Sequence, residues 1–142
     1  MEGGIAAMEH LLAANAKKMP TAVMCSNDMT AIGVLHKLYR AGLRVPDDLS
    51  VIGFDDIHIA EVTIPPLTTV QMSRFELARA AVAALRAHVE IADGDSTPQR
   101  DYKIQTDLVV RESTGSPRAA ATRLREPRGK TTNPAINPIP LT

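Results

Sequence analysis

Two short polar clusters carry the side chains with the greatest chemical capacity, Ser26-Asn27-Asp28 and Asp55-Asp56. Each follows directly on an apolar run, residues 21–25 (TAVMC) in one case and 49–54 (LSVIGF) in the other. A side-chain amide donates and accepts hydrogen bonds, whereas an ionised carboxylate only accepts. Brought to one place, these groups could grip a hydroxylated or heterocyclic ligand. Asp28, Asp55 and Asp56 could also imitate an acidic magnesium site, but phosphate handling needs a cationic or backbone nest beside the acids, and none is legible. The same residues have a plainer reading: Asn27 or Asp28 as a helix N-cap and Asp55-Asp56 as a turn.

The elements that must position these clusters read as strand, helix, strand. Both apolar runs lack polar alternation, the pattern of strands covered on both faces. Residues 29–41 carry Ile32, Leu35, Leu38 and Tyr39 at helical spacing. Gly42 stands where a helix needs a left-handed residue, and Leu43 can fold back on Leu38 in a Schellman stop. Pro46 blocks any return to helix. Strands joined by a helix of this length should be parallel with a right-handed crossover. Open α/β sheets bind ligands beyond the carboxyl ends of their strands, so both clusters should meet at one rim.

Three stretches, in order, are similar to the LacI/GalR repressors: 25–56 (CSNDMTAIGVLHKLYRAGLRVPDDLSVIGFDD), 64–70 (IPPLTTV) and 106–113 (TDLVVRES). The similarity runs from about Glu2 to Thr114 and is to the C-terminal part of the effector-sensing domain, which has the type I periplasmic-binding-protein fold. It implies an α/β fold with a parallel sheet, of which this chain is the C-terminal portion. Residues 1–66 and 100–113 would form the C-terminal subdomain, and 67–99 a remnant of the other subdomain across a hinge. Asn27 and Asp55 match positions that hydrogen-bond a small-molecule effector, of a sugar or nucleobase-like class. Met72 stands where sugar-binding members often place a pocket glutamine. Asp28 would then cap its helix and Asp56 set the turn. Ile32, Leu35, Ile59 and Val62 would be homodimer contacts, with core packing as the other reading, above all for Leu35. The family's helix-turn-helix, hinge helix and first sensor half have no counterpart in the match, so operator DNA would be bound only through a head missing here. The chain thus reads as the effector-binding and dimerisation portion of a regulator, and as a fragment, not an enzyme. A solute-binding protein of the same fold is the alternative, with a phosphate-handling enzyme behind it.

Composition agrees with a cytoplasmic globular domain. The chain has 142 residues, 44% of them hydrophobic, and a formal net charge of zero, which argues against a general polyanion binder. Arg118, Arg123, Arg125, Arg128 and Lys130 make the end basic, and Pro, Thr, Asn and Gly dominate it, so 114–142 reads as a disordered tail. No apolar run approaches the ~20 residues of a membrane span. The single cysteine, Cys25, excludes an internal disulfide and reads as a core residue. His10, His36, His58 and His88 each lack a partner at ligand spacing, so neither metal nor cofactor is expected.

The remaining elements follow from local signals. Residues 1–16 read as a helix with Ile5, Met8 and Leu12 on one stripe, weakened by Gly3 and Gly4. Residues 57–62 read as a helical turn ended by Pro65-Pro66, and 67–71 as a β-branched strand. Ser73 and Glu76 form a capping box, with Met72 and Leu77 as its hydrophobic staple. The helix from 74 to about 92 places Ala78, Ala81, Val82, Leu85 and Val89 on one face, which would be left without partners. Residues 93–98 read as a loop, and 102–112 as a strand region with Leu108, Val109 and Val110 buried.

Overall fold

The helix between the two polar clusters shows how local chemistry sets the element. Asn27 is extended and its side chain accepts the Thr30 N–H at 2.8 Å, which opens α2 (Asp28–Arg40). Asp28 in the first turn and Lys37 and Arg40 in the last suit the helix dipole. At the other end Gly42 takes φ 73°, the Leu43 N–H reaches Leu38 O at 3.0 Å and the Gly42 N–H reaches Tyr39 O at 3.0 Å. That is the complete Schellman pair.

The computed structural model describes residues 1–14, 19–90 and 101–118. Around α2 these hold α1 (Glu2–Ala14), β1 (Ala22–Met24), β2 (Ser50–Phe54), a 3-10 turn (His58–Glu61), β3 (Thr68–Met72), α3 (Arg74–Glu90) and β4 (Thr106–Val109). The strands form one sheet in the order β1-β2-β3-β4. β1 pairs parallel with β2 and β2 with β3, whereas β4 runs antiparallel to β3, so the sheet is mixed and mostly parallel. It also continues past the boundary expected at residue 67, since Ile52, Gly53 and Phe54 are in register with Thr68, Thr69 and Val70. No described helix is long and apolar enough to cross a membrane.

One face of the sheet is closed by α1 and α2. Leu38, Val51, Leu49 and Leu67 are almost wholly buried in a cluster with Met8 of α1. Burying each such side chain is worth about 1.5–3 kcal/mol. The two helices approach so closely that a Cβ on Gly4 would meet the Thr30 carbonyl, and one on Gly33 the Met1 carbonyl. Gly4 is therefore required by helix contact, and not merely a weak point of α1.

Among the described residues the opposite face is open, which corrects two expectations. β1 is an edge strand, and Met24 is 72% exposed where coverage on both faces was expected. β4 is the other edge, so Leu108 and Val110 are exposed and Val109 only half-buried. α3 begins as expected, with Ser73 Oγ accepting the Glu76 N–H at 3.2 Å. The Glu76 carboxylate, however, takes Arg79 at 2.6 Å, and Leu77 is exposed. The expected stripe of Val82, Leu85 and Val89 faces solvent, and the half-buried residues are Glu76, Ala80, Ala84 and Ala87.

The sheet's other end is closed by Ser113, the last residue of the expected subdomain, and by residues expected to begin the tail. Ser113 is fully buried: its Oγ donates to Val51 O at 2.6 Å and accepts the Thr68 N–H at 2.8 Å, tying β2 to β3. Gly115 bonds Ser50 Oγ at 3.2 Å, and Arg118 donates to the carbonyls of Asp48 and Met19 at 3.1 and 2.7 Å. Residues 114–118 are thus part of the fold. The expected loop at 93–98 and the rest of the expected tail lie outside the described residues.

Candidate functional site

Because β2 and β3 are parallel neighbours, they end on the same edge, and the turn after β2 sits against the end of β3. That turn is Asp55-Asp56, with φ of 106° and 48°. Two consecutive non-glycine residues at positive φ cost about 1–3 kcal/mol each and persist only where their surroundings hold them. Here they are held from several directions. The Asp55 N–H donates to Val70 O at 2.9 Å. The Asp56 carboxylate accepts Gln71 Nε2 at 2.7 Å and Arg111 Nη2 at 2.8 Å. The next amide, that of Ile57, donates to Asp28 Oδ2 at 2.8 Å.

Asp28 differs from its expected role. Asn27 is the cap, while Asp28 is wholly buried and its Oδ1 accepts the Thr69 hydroxyl at 2.6 Å. It therefore joins the start of α2 to β3 and to the turn after β2. Gly53 makes room for it, since a Cβ there would fall on Asp28 Oδ1. A buried carboxylate with both oxygens hydrogen-bonded inside the fold acts as a structural joint.

A cleft of about 280 Å³ opens beside the turn. Asp55 and Asp56 line it from one side, Gln71 and Met72 from the end of β3, Ser73 and Arg74 from the start of α3, and Gln105 and Asp107 from β4 and its approach. Of the residues expected to bind a ligand, Asp55 and Met72 are in this lining and Asn27 is not; the Asn27 Oδ1 is occupied by the cap. Asp56 is already compensated by Arg111, which leaves Asp55 and Asp107 as acceptors beside amides, a hydroxyl and one guanidinium. Such a wall suits a neutral, hydrogen-bonding ligand better than a polyanion. Gln71, Gln105 and Asp107 escape sequence reading because nothing local marks them; only the antiparallel return of β4 brings Asp107 opposite Gln71.

Arg111 is a further residue that sequence reasoning leaves without a role. Its side chain is only 13% exposed, and besides Asp56 it reaches Leu67 O at 2.9 Å and Glu61 at 3.4 Å. An arginine directly after the apolar run 108–110 (LVV) is the signal that could have marked it. Cys25 is buried, and burial pushes its thiol pKa up, so the thiolate needed for reactivity is suppressed.

The expected dimer contacts divide. Ile59 and Val62, on and just after the 3-10 turn, are 49% and 67% exposed. Ile32 is half-buried. Leu35 is 7% exposed within the core cluster, which accords with the packing reading.

Residues 2–114 match the periplasmic binding protein-like domain. The chain is 38% identical over 115 residues to the HTH-type transcriptional repressor PurR of Haemophilus influenzae, a match covering 81% of this chain and 34% of that protein. A putative LacI-family regulator from Sanguibacter keddieii superposes with a TM-score of 0.69 at 39% identity, covering 81% of this chain and 42% of that one. A LacI-family regulator from Lactobacillus casei with bound sucrose superposes with a TM-score of 0.60 at 31% identity, covering 78% and 39%. The chain thus spans about a third of the length of the curated relative.

Proposed function

The chain belongs to the periplasmic binding protein-like family, in the form that LacI/GalR regulators use as a sensor, and from this premise we propose that the cleft at Asp55 is half of an effector site. The observation that carries the reading is the Asp55-Asp56 turn, a strained acidic pair fixed at the carboxyl ends of two parallel strands and lining a polar cleft. Natural chains keep such strain chiefly where a ligand or a reaction needs it.

In this reading a sugar or nucleobase-like molecule donates hydroxyl or N–H groups to Asp55, and Gln71, Ser73 and Gln105 complete the polar set. Met72 supplies an apolar contact. Asn27 contributes through its amide donors if a ligand extends toward α2. The helix from residue 74 onward belongs to the second wall, which a ligand draws against the first. Ile59 and Val62, with Ile32 beside them in role, form the homodimer surface. DNA is contacted by a helix-turn-helix outside these 142 residues, whose equilibrium the effector shifts, in the cytoplasm. The L. casei structure with sucrose supports the sugar class.

Isothermal calorimetry of the chain against sucrose, D-glucose, adenosine and hypoxanthine tests this. One class of compound should bind, and Asp55→Ala should remove the heat while leaving the unfolding midpoint of the free protein unchanged. Binding that survives Asp55→Ala, or none from any compound, would overturn the assignment.

A further inference from the structure

Asp55 lines the cleft, yet nothing in its own side chain fixes its backbone at φ 106°. Beside the Asp55 N–H bond to Val70 O and the Ile57 N–H bond to Asp28, the side chain that holds the turn is that of its neighbour. Asp56, at φ 48°, is anchored through both carboxylate oxygens, one to Gln71 and one to Arg111. Gln71 is an exposed amide, whereas Arg111 is nearly buried and carries charge. Its planar fork is itself located by a second bond, from Nη1 to Leu67 O, and its backbone N–H by Thr68 Oγ1 at 2.9 Å.

From these contacts we infer that Arg111 is a positioning residue for ligand recognition: through Asp56 it holds the Asp55-Asp56 turn in the left-handed geometry that presents Asp55 to the cleft. The inference rests on the cleft being the effector site. Arg111 is absent from the cleft lining, so it acts through the turn and not by touching the ligand. It also cancels the charge of Asp56, leaving Asp55 as the free acceptor on that side. Without it, Asp56 would be a carboxylate bonded only to Gln71, and the turn would relax toward negative φ, where aspartate is more at ease. Asp55 would then swing away from the ligand's donors.

Two measurements on the isotope-labelled 142-residue chain test this, one of them independent of any ligand. In Arg111→Gln the Cα shifts of Asp55 and Asp56 should lose their left-handed signature, and the Asp55 amide should exchange roughly tenfold faster, while Leu38 and Val51 keep their rates. Arg111→Lys, which keeps the charge but not the fork, should fall between; it also serves if the glutamine variant does not fold. Unchanged shifts, or faster exchange at all four residues together, would overturn the inference. The second measurement titrates sucrose, D-glucose and adenosine. Arg111→Gln and Asp56→Asn should each weaken the binding probe by roughly tenfold, the scale of a small misplacement, and the double variant should lose no more than either. Additive losses would mean that Arg111 acts elsewhere. If no probe binds the unaltered chain, the effector-site reading fails, and the shift and exchange data still decide whether Arg111 holds the turn.

Discussion

The two ends of the described fold are built to different standards. In the first, α1 and α2 approach each other so closely that glycine is required at Gly4 and Gly33, and Leu38 and Val51 have no exposure. In the second, α3 and β4 have sound local chemistry and little packing: Phe75, Val82, Leu85 and Val89 are 58–75% exposed, and Leu108 is 57% exposed. Caps and propensities are enough to shape a helix, but most helix stability comes from burying a face. The cleft lies on the seam between these regions. Its Asp55-Asp56 wall is pinned by β3, α2 and Arg111, while its Ser73-Arg74 wall belongs to the loosely packed part. On the proposed function, one fixed wall and one adaptable wall are what a closing site requires.

Substitutions should separate the regions sharply. The largest effect is expected from Gly33→Leu, where the new side chain collides with the α1 backbone and not with a flexible side chain. Overpacking usually costs about 1–3 kcal/mol, and a backbone obstacle should place this variant at or above the top of that range in urea unfolding. Leu38→Ala, at 0% exposure, should lose about 2–5 kcal/mol. Leu85→Ala, at 63% exposure, should change stability by less than ~0.5 kcal/mol. Equal losses at the two leucines would dissolve the distinction. The smallest effect on folding is expected from Leu85→Glu with Val89→Glu, which should leave the unfolding midpoint in place. Exposed apolar surface of this kind promotes association, so the same variant should sediment as a smaller species than the parent at high concentration. An unaltered sedimentation profile would show that this face is not sticky.

The same contrast explains what could be read from the sequence. β1, α2 and β2, the Gly42 stop and the Ser73 cap are written in neighbouring residues, and the structure has each of them. The family resemblance, resting on three motifs in order, is carried by the match over residues 2–114. What could not be read depends on distant partners. Asn27 and Asp28 are both good capping residues, and only Thr69, 41 positions from Asp28, decides which of them is buried. Gly4 looks like a helix breaker until Thr30 is placed against it. Ser113-Thr114-Gly115 has the composition of a tail, and its order comes from bonds to Ser50, Val51 and Thr68. The apolar run 108–110 suggests burial, but three consecutive apolar residues say nothing of whether anything covers them.

Residue-by-residue amide hydrogen exchange on the free chain tests the central claim most directly, that one wall of the cleft is set in advance and the other is not. Leu38, Val51 and Asp55 should exchange only through global unfolding, whereas Val82, Leu85 and Val89 should exchange through local opening, at least a hundredfold faster on an order-of-magnitude scale. Protection in α3 equal to that of Val51 would contradict the account, and so would an Asp55 amide that exchanges as freely as α3.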